Sequence, residues 1–101
     1  MTIKPGSRWK STVCPAEAVV VRPPKTAGLP QCGGHDMVPL AEPATERAPL
    51  DGFAGGCAVG KRYRDEVSGI ELLCTRAGQG ALGFGGALLA MMETKQLPSS
   101  D

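Results

Sequence analysis

GSRWKSTVCPAEAVVVRPPKTAGLPQCGGHDMVPL, residues 6–40, decides how this chain is read, because a weaker copy, GKRYRDEVSGIELLCTRAGQGALGFGGALLAMM, occupies residues 60–92. At an offset of 54, Gly6, Arg8, Val13, Glu17 and Arg22 meet Gly60, Arg62, Val67, Glu71 and Arg76. Trp9 meets Tyr63, Lys10 meets Arg64, and Ala18-Val19-Val20 meets Leu72-Leu73-Cys74. If two residues are lost from the next loop, the offset becomes 52, and Gly28, Gly33 and Gly34 meet Gly80, Gly85 and Gly86. Two such units are expected to bury their apolar faces against each other.

Within the first copy, residues 7–13 place Arg8, Lys10 and Thr12 on one face and Trp9, Ser11 and Val13 on the other, the alternation of a half-buried strand. Residues 17–22 carry three consecutive valines, and Pro23-Pro24 ends them. These two strands read as one hairpin. A second forms around Gly33-Gly34, from residues 29–32 to the returning residues 35–40, since both glycines adopt positive φ without steric cost. In the second copy the counterparts are residues 61–66 and 70–76, then 81–84 and 87–92 around Gly85-Gly86. ALLAMMETK would also suit a helix, but its duplicated position favours a strand.

The expected fold is therefore mainly β: a small antiparallel β-barrel or sandwich built from two double-hairpin repeats related by a pseudo-twofold axis. Fourteen glycines and nine prolines among 101 residues agree, because they punctuate a chain too often for long helices. The length suits a single domain, residues 1–101, with repeats at 6–40 and 60–92 and a polar tail at 93–101. Residues 41–59 form the connector, with room for a short helical turn at 42–48 between Pro43 and Pro49.

Eleven basic and ten acidic residues leave a formal charge of +1, so no general attraction to nucleic acid or an anionic membrane is expected. No apolar run approaches the roughly 20 residues that span a bilayer, and the first ten residues lack a signal-peptide core. The expected location is the cytoplasm, with the thiols reduced.

Cys14, Cys32, Cys57 and Cys74 are candidate zinc ligands, with His35 as an alternative donor. Their separations of 18, 25 and 17 positions lack the close pairs of most structural zinc sites. The repeat also sets Cys32 opposite Phe84 and Cys74 opposite Val20, which suits buried thiols. With one histidine in the chain, a Cys-His nucleophile would have to use His35, and no serine elbow, metalloprotease or phosphate-loop motif is present. No catalytic residue is assigned, and no cofactor beyond possible zinc.

Arg8, Trp9 and Lys10, with Arg62, Tyr63 and Arg64, are the candidate ligand-binding residues, since a guanidinium beside an aromatic ring holds a carboxylate or phosphate. They equally suit a solvated strand face paired with Glu17, Glu71, Asp65 or Glu66. The paired hairpins resemble the lipoyl and biotinyl carrier domains in architecture. Those carry their cofactor on a lysine at a hairpin tip, where this chain has Gly33-Gly34 and Gly85-Gly86. The functional expectation is a small non-catalytic accessory or assembly protein that binds itself or a larger subunit. A zinc-binding protein, and an anion or small-ligand binder using Arg8 and Arg62, are the alternatives.

Overall fold

Alternation in the first hairpin sorts its side chains as their chemistry requires: Trp9, Ala18 and Val20 are buried, while Arg8 is exposed and Glu17 half-buried. The computed structural model describes residues 3–43 and 46–92, and every helix or strand among them is a strand. In chain order these are β1 (Arg8–Lys10), β2 (Glu17–Arg22), β3 (Pro30–Cys32), β4 (His35–Asp36) and β5 (Val38–Pro39). They continue with β6 (Arg62–Arg64), β7 (Glu71–Arg76), β8 (Leu82–Phe84), β9 (Ala87–Leu88) and β10 (Ala90–Met92).

The strands form two antiparallel sheets, one of six strands in the order β10-β6-β7-β2-β1-β5 and one of four in the order β4-β3-β8-β9. The expected strand at residues 35–40 is broken in two. β4 pairs with β3 in the small sheet, and β5 pairs with β1 in the large one. Between them Met37 is 1% exposed, and its N–H donates to the Pro30 carbonyl at 2.8 Å. The expected strand at 87–92 breaks in the same way at buried Leu89, whose N–H donates to the Leu82 carbonyl at 3.0 Å.

These breaks correct the barrel expectation. Closure needs strands that tilt and stagger continuously around one axis. Here the returning strands are two or three residues long and change sheets at a buried side chain, so two sheets form and no barrel closes. Residues of both sheets nevertheless share one core, in which Trp9, Ala18, Val20, Leu72 and Cys74 of the large sheet join Cys32, Leu82 and Phe84 of the small one.

The connector is tied to the strands around it. Arg47 N–H donates to the Thr12 carbonyl, Leu50 N–H to the Gly33 carbonyl, and Ala81 N–H to the Phe53 carbonyl, at 2.7 to 2.8 Å. Leu50 also packs where a side chain on Gly34 would point. The helical turn considered for 42–48 is not present among its described residues, and the polar tail at 93–101 lies outside them. No helix of the described residues is long and apolar enough to cross a membrane.

Candidate functional site

Four loops and strands distant in sequence each bring one thiol to the shared core. Cys14 lies in the bend after β1, where the Ser11 hydroxyl accepts hydrogen bonds from the N–H groups of Val13 and Cys14 at 2.9 and 3.3 Å. That local bond turns the chain and fixes the Cys14 backbone. Cys32 ends β3 immediately before the positive-φ pair Gly33-Gly34 and is fully buried. Cys57, in the connector, is anchored by its N–H to the Gly78 carbonyl at 3.1 Å. Cys74 sits on the inner face of β7 opposite Ala18 and is 1% exposed.

The thiols form a connected series. Cys14 Sγ and Cys32 Sγ are 4.0 Å apart, and Cys57 is near enough to Cys32 and to Cys74 for each to alter its ionisation. All four are free thiols. The segment AGQG, residues 77–80, lies against them. Gly80 N–H donates to Cys14 Sγ at 3.4 Å, and a Cβ on Gly80 would lie 2.7 Å from Cys32 Sγ. A Cβ on Gly78 would collide with Cys14 Sγ and with Ala16. Neither glycine has positive φ, so it is close approach to sulfur that excludes a side chain. Sequence reading missed both; their signal was a glycine pair spaced by one residue where no hairpin turn was required.

Mutual contact makes the thiols electrostatically unequal. The Cys32 thiol, and to a lesser extent Cys74 and the Gly78 backbone, hydrogen-bond the Cys57 sulfur and bring its pKa down to about 6 against the opposing effect of burial. Donation to Cys57 and burial push Cys32 well above the thiol range. Burial, then the Cys57 charge, raise Cys74 to about 12. For Cys14 burial works against ionisation, but hydrogen bonds led by the Gly80 backbone outweigh it, and the thiol ionises below its usual value. The arrangement favours ionisation of Cys57 and Cys14 over that of Cys32 and Cys74.

Among the described residues no group of three or more His, Cys, Asp and Glu side chains is already arranged to hold a metal ion. His35, the alternative donor, uses Nε2 in a 3.0 Å hydrogen bond with the Ala48 carbonyl. Cys14 is the one thiol that is only partly buried, and it lines an open groove of about 470 Å³ with Ser11, Thr12, Val13, Pro15, Glu46 and Gln79.

The basic residues are placed differently. The pairings Arg8 to Val19, Val19 to Leu73 and Leu73 to Arg62 set both arginines on the outer face of the large sheet. Three strand spacings, about 14 Å, separate them. Trp9 and Tyr63 point to the opposite, buried face, where the Tyr63 hydroxyl accepts the Ala58 N–H at 2.9 Å. Arg62 pairs with Glu71 at 3.5 Å and Arg76 with Glu17 at 3.6 Å. Lys10 and Arg64 are half-buried on their strands, and no pocket draws the two basic groups together among the described residues.

No family model matches the chain, and no curated protein or solved structure shows significant similarity to it.

Proposed function

We propose that this is a small non-catalytic assembly protein, built from two copies of one double-hairpin unit, that binds a second copy of itself through the segment β9–β10. Support for duplication lies in the spacing of the strands. β6 and β7 follow β1 and β2 by 54 residues, and β8 and β9 follow β3 and β4 by 52. Each sheet order also reads the same from either end once β1 to β5 are matched with β6 to β10.

The observation that carries the binding reading is the contrast between the two outer segments. On one side the edges of both sheets are β4 and β5, which contain His35, Asp36 and Pro39 and lie beside the connector. Charge and proline are ordinary protection for a sheet edge. On the other side the edges are β9 and β10, Ala-Leu-Leu-Ala-Met-Met, without charge or proline. Leu88 is 51% exposed and Met91 52%. An apolar edge with no charge or proline in its strands is a template for a further strand, and an uncharged segment meets no repulsion from its own copy.

Light scattering behind size-exclusion chromatography tests this. The expected result is a dimer for the native chain and a monomer for Met91→Lys, with stability unchanged within about 0.5 kcal/mol, as for most exposed substitutions. A native chain that is monomeric at all accessible concentrations contradicts the reading.

A further inference from the structure

We propose that Cys14, Cys32, Cys57 and Cys74 together bind one zinc ion as a four-thiolate structural site. Thiols separated by 18, 25 and 17 positions, from both halves and the connector, meet in one core. Buried free cysteines used only as small apolar residues have no reason to seek each other. Here Cys14 and Cys32 are in contact, all four thiols lie in or against the same core cluster, and Cys57 is near enough to Cys32 and Cys74 for their charges to interact.

The Cys14–Cys32 distance suits the ion. Zinc–sulfur bonds of about 2.3 Å in a tetrahedron place sulfurs about 3.8 Å apart. Cys14 and Cys32 stand 4.0 Å apart, far beyond the ~2.05 Å of a disulfide and close to a tetrahedral edge. Binding requires the Cys57 and Cys74 side chains to turn toward this pair, since the four are not a preformed metal cluster among the described residues.

The surroundings are those of thiolate rather than of inert thiol. Gly80 N–H points at Cys14 Sγ, as a donor that stabilises a ligand's negative charge does, and glycine at 78 and 80 lets backbone approach the sulfurs closely. His35 is engaged with Ala48, and no carboxylate hydrogen-bonds the thiols among the described residues; the oxygens that meet them are the Ser11 hydroxyl at Cys14 and the Arg76 carbonyl at Cys74. A soft, four-sulfur, closed donor set selects zinc among the common divalent ions. The groove beside Cys14 gives the ion a route in.

Binding balances simply. Each sulfur gives one electron pair to Zn²⁺, the thiol protons leave to solvent, and four thiolates with one dication leave a centre of net charge −2 without any redox change. Uptake is therefore favoured by rising pH.

The test uses the full chain, reduced and stripped of metal, with zinc and cobalt(II) as probes. One zinc per chain should survive gel filtration. Cobalt should give thiolate charge-transfer bands and the intense visible bands of a tetrahedral site. Cys14→Ser, at the rim, should weaken zinc binding by more than about tenfold and reduce the charge-transfer intensity. Cys57→Ser should do the same more severely, and the rim variant keeps the test valid if Cys57→Ser does not fold. A folded native chain that takes up no zinc, or a cobalt spectrum unchanged in Cys14→Ser, overturns the proposal. Dimerisation through β9–β10 is measured separately and does not depend on this outcome.

Discussion

Cys57 occupies the middle of the thiol series, and its position makes the metal-free protein sensitive to pH. Its folded pKa of about 6 lies below the ordinary 9.0, so its contribution to stability is complete above pH 9 and is lost as pH falls through 6. Cys74, raised to about 12, has the opposite sign: its contribution is complete below pH 9 and disappears as pH rises toward 12. Urea midpoints of the reduced, zinc-free chain are expected to rise from pH 6 to pH 9 and to fall above it, and Cys57→Ser should reduce the rise to what Cys14 contributes. A midpoint that is level or falling from 6 to 9 contradicts the assignment. At this scale the sequence revealed the burial of Cys32 and Cys74, through the apolar residues at matching positions. Convergence was hidden, because contacts between positions 18 to 66 residues apart are set by sheet order, which no local spacing encodes.

Among the elements, β2 and β7 were legible because period-two alternation and β-branched or leucine-rich runs coincide with proline, glycine and arginine boundaries. The hairpin tips at Gly33-Gly34 and Gly85-Gly86 were legible for a conformational reason, and all four glycines have positive φ. The sheet change at Met37 and Leu89 was not. Residues 35–40 and 87–92 look continuous, since an apolar residue in a run signals burial without saying which sheet its neighbours join. Met37 is the largest of the fully buried side chains, and it occupies the point where the chain passes from one sheet to the other. Met37→Ala should therefore destabilise the protein by about 2–5 kcal/mol, measured by urea denaturation. A change below about 1 kcal/mol would show that this crossing does not depend on the side chain.

For the molecule as a whole, ten strands of two to six residues among the described residues enclose a core led by leucine and cysteine, with three of the chain's four aromatic residues. Chains of this size gain from a covalent or metal staple when the apolar core is modest. A site joining the bend after β1, the end of β3, the connector and β7 would fasten both sheets and both halves at once. It would also make binding free energy part of folding free energy. The outer face carries Arg62–Glu71 and Arg76–Glu17 as cross-strand ion pairs, with both arginines exposed, Glu17 half-buried and Glu71 buried. X-ray absorption at the zinc edge of the purified, reduced protein examines the gathered thiols most directly. Four sulfur neighbours at about 2.3 Å are expected. A nitrogen or oxygen atom in the first shell, fewer than four sulfurs, or a chain without zinc would contradict it.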